Sequence, residues 1–99
     1  MLVFEGHIRV PVEKQAALQP ALKDFVRATR AEPGCGSFFF AYDALELDLL
    51  RVFEIFDDEA AFLAHGASPH MKEWRAARAQ LGIDGRVLTR YDVSSHQAV

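Results

Sequence analysis

Two histidines are the residues of this chain whose type and spacing best suit proton transfer. His65 follows Ala61 by one helical turn, and His70 precedes Trp74 by one turn. Each imidazole therefore shares the apolar side of a short predicted helix. The two helices are separated by a tight break, so both rings are predicted to point inward from either side of it, toward the space above a sheet.

The break between these helices is predicted from three residues. Gly66 ends the first helix, Ser68 is a good N-cap, and Pro69 is well suited to the first position of the second helix. Because the break is so short, the helix ends on either side of it must stay close together. We therefore expect the two histidines to form one site.

An imidazole with an unperturbed pKa near about 6.5 can take or give a proton at neutral pH. The alternative is a core histidine that makes one hydrogen bond and does no chemistry. A metal site is less favoured, because His65 and His70 have no reliable third ligand, with His7 and His96 both far away in the sequence. Neither a serine-nucleophile motif nor a phosphate-binding loop motif is present.

The elements that must position this pair follow the order β-α-β-β-α-β. Alternating apolar residues predict strands at 2–10, 35–42, 49–56 and about 86–93. A 3.6-residue pattern predicts a first helix at 13–30, and the broken second helix ends at Gly82. Short connections and right-handed crossovers favour a ferredoxin-like α+β fold, with an antiparallel four-stranded sheet in a single domain, 1–99.

The second and third strands are apolar on both faces, and Phe38, Phe39 and Phe40 stand in succession on the second. Helices can cover only one face of such a sheet. The other face is therefore predicted to pack against a second copy of the chain, as a homodimer.

The composition limits the classes of function. The chain has 99 residues, of which 51% are hydrophobic, with a net charge of −3. The acidic balance argues against nucleic-acid binding. One cysteine, no recognisable signal peptide and no apolar run near about 20 residues predict a cytoplasmic protein without a membrane partner.

Four features in order carry a resemblance to a known family. They are the segments Glu32-Pro33-Gly34-Cys35 and Ser68-Pro69-His70-Met71, with Glu54 and His65 between them. The chain resembles the antibiotic biosynthesis monooxygenase (ABM) domain from residue 3 to residue 93. It is most similar to the branch that contains quinol monooxygenases and enzymes that process phosphorylated autoinducer-2.

The resemblance implies a dimeric α+β barrel and an oxidoreductase that needs no cofactor. Oxygenase members of this family react a quinol or phenolic small molecule with O2 without metal, flavin or haem. A deprotonated, electron-rich phenol can itself reduce oxygen, so the protein must bind it away from water, remove a proton and stabilise the developing charge.

The resemblance also implies roles for particular residues. The catalytic candidates are His65 and His70, either of which would be the base or an orienting group, and Glu54, which would hold a histidine or a backbone amide. The candidates for substrate binding are Trp74, Tyr42, His7 and Arg90.

Other activities remain open. One is isomerisation of a small phosphorylated sugar-like signal. Its phosphate would need convergent basic side chains, for which only Arg51, Arg75, Arg78 and Arg90 come into consideration. Another is a non-catalytic dimeric module that only binds a ligand. A haem-degrading monooxygenase is less favoured, because Arg75 stands where those relatives place an axial histidine.

Overall fold

The computed structural model describes the whole chain, Met1–Val99. The elements in chain order are β1 (Leu2–Arg9), α1 (Val12–Arg30), β2 (Cys35–Tyr42), β3 (Leu49–Phe56), α2 (Glu59–Gly66), α3 (Pro69–Gln80) and β4 (Val87–Asp92). All three strand pairings are antiparallel, and the order across the sheet is β2-β3-β1-β4. This is the ferredoxin-like α+β fold, which confirms the predicted fold class. Predicted and observed element ends differ by only one or two residues, as is usual for frayed ends.

One face of the sheet is covered by the helices and carries the core. Alternate residues of β1 are buried, as the period of two requires. Fourteen buried hydrophobic residues form a single cluster between the sheet and the helices: Leu2, Phe4, Ile8, Val10, Leu18, Leu22, Phe25, Phe38, Leu50, Val52, Phe56, Met71, Trp74 and Ile83. The candidate site lies on this same side of the sheet, on β3 and the ends of the helices.

The opposite face of the sheet has no helix on it. Phe39 and Phe53 stack there with ring centroids 5.1 Å apart. Phe39, Val87 and Tyr91 remain 47%, 54% and 48% exposed. The predicted two-faced apolar character of β2 and β3 is therefore present, and this open sheet face is a large apolar surface within one copy of the chain.

Local sequence signals fix the ends of α2 and α3. The side chain of Asp58 accepts a hydrogen bond from the Ala61 amide and begins α2. Ser68 caps α3, because its Oγ accepts from the Met71 amide at 3.2 Å. Gly66 is still helical and the break falls at Ala67 and Ser68, one residue later than predicted.

The end of α3 is a Schellman motif. Gly82 adopts φ +67°, a left-handed conformation that glycine reaches without strain. The Ile83 amide then donates to the Arg78 carbonyl at 2.9 Å, and the Gly82 amide donates to the Ala79 carbonyl. This turn buries Ile83 in the core and directs the chain toward β4. None of the helices has both the length and the apolar character needed to cross a membrane.

Candidate active site

The centre of the site is a carboxylate that bonds both predicted histidines. Oxygen Oε2 of Glu32 lies 2.9 Å from Nδ1 of His65 and 2.7 Å from Nε2 of His70. An ionised carboxylate only accepts hydrogen bonds, so each of these two nitrogens carries the proton and donates it. The structure therefore brings the histidine pair together, as the helix spacing predicts, and holds the pair through a third residue.

The turn after α1 places Glu32 against α2. Gly34 in this turn has φ +85°, and a Cβ there would lie 2.7 Å from the Cβ of Ala61. Only glycine meets both requirements, a left-handed backbone and a close approach to α2. The Asp57 amide donates to the Gly34 carbonyl at 2.8 Å and ties the turn to the end of β3. Gly34 thus sets the distance between the Glu32 turn and the helix that carries His65.

His65 is enclosed by aromatic rings. Its side chain is 2% exposed. The centroid of its ring lies 5.7 Å from that of Phe25, 5.4 Å from that of Phe38 and 4.9 Å from that of Phe56. Burial lowers the pKa of His65, and the hydrogen bond and charge of Glu32 oppose that shift. His65 is consequently a neutral imidazole near pH 7, with its proton on Nδ1 and a free lone pair on Nε2.

Glu54 faces that lone pair from β3. Its Oε1 lies 3.9 Å from Nε2 of His65, too far for a direct hydrogen bond. The residue is 6% exposed, and burial raises the pKa of its carboxyl from 4.5 to about 7. Near neutral pH Glu54 can therefore either give or accept a proton, and a hydroxyl placed between the two groups would contact both.

The gap between His65 and Glu54 belongs to a small cavity. Its volume is ≈ 250 Å³, and it is lined by Phe4, Glu54, Phe62, His65, Gly66, Met71, Arg75, Arg86, Leu88 and Arg90. This volume is just below that of most ligand pockets, which measure about 300–1,000 Å³. Four apolar side chains and five titratable ones share the lining, which suits a small, single-ring molecule with polar substituents.

Of the four predicted substrate-binding residues, Arg90 lines this cavity. Its guanidinium is already paired with Glu59 at 2.8 Å and with Asp92 at 2.8 Å. Trp74 is close by but on the far side of His70. It is 3% exposed and stacks on Phe25 with centroids 5.1 Å apart, beside a second cavity of ≈ 400 Å³.

His7 and Tyr42 lie outside the cavity. His7 pairs with Arg51 and Val87 across the strands on the open sheet face, away from the helices. The strand period turns His7 to the face of the sheet opposite this cavity, and its role in substrate binding stays a prediction. Tyr42 faces the helices at the far end of β2, where its hydroxyl is buried without a partner and burial raises its pKa.

Two residues of the site were missed in the sequence, Glu32 and Arg86. Glu32 stands in the Glu-Pro-Gly segment, which reads as a helix stop. Arg86 stands in a loop, and no signal in the sequence links it to β3 or to Arg75, which is among the arginines considered for a phosphate. Only the fold brings them to one cavity.

Glu32 also supplies the third donor atom that the sequence argument did not find. Donor atoms of Glu32, His65 and His70 all lie within 4.8 Å of one another. Two imidazoles and a carboxylate are a donor set that suits divalent transition metals. An ion there would need both bonded nitrogens to lose their protons, in competition with the hydrogen bonds to Glu32.

The sequence model of the antibiotic biosynthesis monooxygenase family matches residues 1–77. The chain belongs to this family. The ABM match covers β1 to most of α3, and so includes Glu32, Glu54 and both histidines. An uncharacterized protein of Synechocystis is 30% identical over 73 residues, which are 74% of this chain and 50% of that protein. The chain thus spans about half the length of this curated relative.

Solved structures share the ABM fold over nearly the whole chain. One from Deinococcus radiodurans, which carries the family's name, has a TM-score of 0.90 at 23% identity, over 100% of this chain and 98% of that one. Another with the family's name, from Nitrosomonas europaea, has a TM-score of 0.86 at 21% identity, over 96% and 100%. At these identities the likeness establishes the ABM fold beyond residue 77, including β4.

Proposed function

We propose that this ABM protein is a monooxygenase that inserts one atom of O2 into a phenolic or quinol-type small molecule, without metal, flavin or haem. The observation that carries the proposal is the unpaired Nε2 of His65, which faces a small cavity while Glu32 bonds the other nitrogen. A carboxylate behind an imidazole fixes its tautomer and stabilises the imidazolium that forms when the imidazole takes a proton.

The first step is removal of the phenolic proton. His65 Nε2 accepts it, and the positive charge that develops on the ring lies 2.9 Å from the Glu32 carboxylate. The burial that keeps His65 neutral in the free protein also keeps it ready to accept the proton. The new phenolate lies beside the imidazolium of His65, whose positive charge favours the anionic form.

The oxidation then uses O2 as the oxidant. The phenolate gives one electron to O2, and the phenoxyl radical and superoxide combine at a ring carbon that carries hydrogen. The peroxide formed loses water to leave a quinone, so that each turnover consumes one O2 and forms one water. The substrate supplies both electron pairs that the reaction requires.

Glu54 serves as the acid in the second half of this sequence. With a pKa of about 7 it is partly protonated at neutral pH, and it can give its proton to the oxygen that leaves as water. His70 shares the Glu32 oxygen and so holds the carboxylate in place. The burial of Glu54 and the contact of His70 with Glu32 support these proposed roles, and both residues are positions to test.

Oxygen uptake with a panel of phenols and hydroquinones tests the proposal. His65→Asn is expected to lower turnover by about 100-fold or more, because the base is lost, with a modest change in Tm. His96→Asn, in the exposed tail after β4, is the matched control. Dialysis against a chelator is expected to leave activity unchanged.

Three results would count against the proposal. One is unchanged activity per folded molecule in His65→Asn. Another is activity that a chelator removes and a divalent metal restores, which would make Glu32, His65 and His70 a metal centre. If no compound in the panel is oxidised but ligands still raise Tm, the chain is a binding module.

We also propose that the protein acts as a homodimer in the cytoplasm. The apolar open sheet face supports the dimer, and the single free cysteine suits a reducing compartment. The dimer would cover the exposed aromatic and aliphatic side chains of that face.

A further inference from the structure

Three arginines form a cluster beside the candidate cavity. Arg75 and Arg78 come from α3, and Arg86 comes from the loop before β4. The three line an open basin of ≈ 590 Å³ together with Ala79, Gly82, Ile83, Asp84 and Gly85. Asp84 is the one acidic residue in this lining, so the basin is positively charged in a protein whose net charge is −3.

None of these three guanidinium groups has an ion-pair partner. Arg9 and Arg51, by contrast, each pair with an aspartate at 3.2 Å. Nε of Arg78 is buried and has no hydrogen-bond partner at all. Buried donors without partners are rare in folded proteins, because their lost hydrogen bonds to water are not replaced. Together with the three guanidinium groups that lack ion-pair partners, this points to a ligand in the basin that supplies acceptors.

The charges of the cluster repel one another. Burial, followed by the positive charges of Arg86 and Arg75, lowers the pKa of the Arg78 guanidinium, whereas Asp84 opposes that shift. Repulsion among the three cations is therefore only partly compensated within the chain. A bound anion would remove it and would gain charge-assisted hydrogen bonds from the same groups.

The basin and the smaller cavity share two residues. Arg75 and Arg86 line both, and the smaller cavity continues from them to Glu54 and His65. A molecule whose hydroxyl lies between His65 and Glu54 would extend its ring into the cavity, with its far end toward these two guanidiniums. This places an anion-binding group at one end of the cavity and the proton-transfer groups at the other.

We propose that the ligand of this cavity is an aromatic acid, a single-ring phenol whose carboxylate or phosphate is bound by Arg75 and Arg86, with Arg78 behind them. Guanidinium groups recognise both anions through paired hydrogen bonds. The identity of this molecule as a substrate rests on the proposed function, but binding of the anion requires no turnover. The anion end would fix which ring carbon lies near His65.

Calorimetric titration with matched ligands tests the site. The anionic ligands are 4-hydroxybenzoate and 4-hydroxyphenyl phosphate, and the neutral one is 4-hydroxybenzyl alcohol, so that all three carry a phenolic hydroxyl. We expect at least one anionic ligand to bind about 10-fold or more tightly than the neutral one, with a preference that weakens as salt is added. The tighter of the two anions tells carboxylate from phosphate.

The double variant Arg75→Gln and Arg86→Gln is expected to lose this preference. Both side chains are exposed, so the fold should survive, and an unchanged Tm would show that it does. Arg27→Gln removes one charge from an exposed, unpaired arginine on α1, and its preference should be intact. Equal loss in Arg27→Gln would show a general charge effect and overturn the site.

Two further outcomes separate this proposal from the proposed function. Equal affinity for charged and neutral ligands, or no binding of either anion at millimolar concentration, overturns the anion site even if neutral phenols are oxidised. Arginine-dependent binding without any oxygen uptake overturns the monooxygenase and leaves the anion site standing.

Discussion

Glu32 stabilises charge on two imidazoles through a single oxygen atom. The shared Oε2 can accept from His65 and His70 together, so protonation of either ring strengthens its bond to the carboxylate. Burial lowers the pKa of His65, and the hydrogen bond and charge of Glu32 oppose that shift. A proton that His65 took up would therefore be stabilised by Glu32.

Glu54 makes the stability of the protein depend on pH. Burial raises its pKa from 4.5 to about 7, so between those values the folded state holds a proton that the unfolded chain releases. The stabilisation from Glu54 is therefore complete below about pH 4.5 and is lost as the pH rises through 7. Such a shift corresponds to about 3 kcal/mol of unfolding free energy.

Glu54→Gln should remove this loss, because an amide stays neutral at every pH. We expect the variant to unfold at higher urea concentration than the parent at about pH 8, and to match it closely at about pH 5. Glu73→Gln, at an exposed position on α3, is the control and should follow the parent at both values. A variant that is less stable than the parent at about pH 8 would mean that Glu54 is ionised and favourably paired there.

The histidine pair could be predicted because its signal is local. Helical spacing places His65 and His70 on inward faces, and the Ser68-Pro69 cap fixes where the second helix begins. Glu32 could not be predicted as part of the site, because its two partners lie 33 and 38 residues further along the chain. No local pattern distinguishes a glutamate that ends a helix from one that also bonds two distant rings.

At the scale of elements, the observed strands and helices agree closely with the predicted ones. The hydrophobic period and the turn and capping residues indicate the same element boundaries. The exception is Gly66, which reads as a helix breaker yet is helical, while the true break is set by the Ser68 cap. Gly34 is needed for its conformation, because its φ is positive and a Cβ there would collide with Ala61. It thereby lets the Glu32 turn pack closely against α2.

Substitution by alanine should change the stability of the protein differently at these two glycines. Gly34→Ala places a Cβ 2.7 Å from Ala61 in a left-handed conformation, and we expect a loss of about 1–3 kcal/mol in unfolding free energy. Gly66→Ala has no atom within 4 Å of the new Cβ, and alanine favours helix, so stability should stay constant or rise. Urea unfolding of both variants measures the difference. Equal effects at the two positions would contradict the role assigned to Gly34.

At the scale of the whole molecule, the arginine basin shows what sequence patterns leave out. Arg75 and Arg86 are separated by the end of α3 and a loop. Arg75 is among the arginines that the sequence suggests for a phosphate, but Arg86 is not, and nothing in the sequence places the two together. Their nearness to Glu54 depends on how α3 and β4 pack beside β1 and β3, which is a property of the fold alone. The apolar open sheet face, in contrast, follows directly from alternation along the strands.

The apolar character of that face leads to the last prediction, a homodimer formed through the open sheet. Phe39 and Phe53 stack on this face, and packing against a second copy would remove them from water. Light scattering coupled to size exclusion should give about twice the chain mass of 11.1 kDa.

A charge placed in that stack provides the decisive comparison. Phe39→Glu should dissociate the dimer, because two carboxylates would be buried in the interface without partners. Leu45→Glu, in a loop where the side chain is 91% exposed, carries the same charge change and should remain dimeric. A parent protein that elutes as a stable monomer, or a Phe39→Glu variant that keeps the parent's mass, would show that the open sheet face is not the interface.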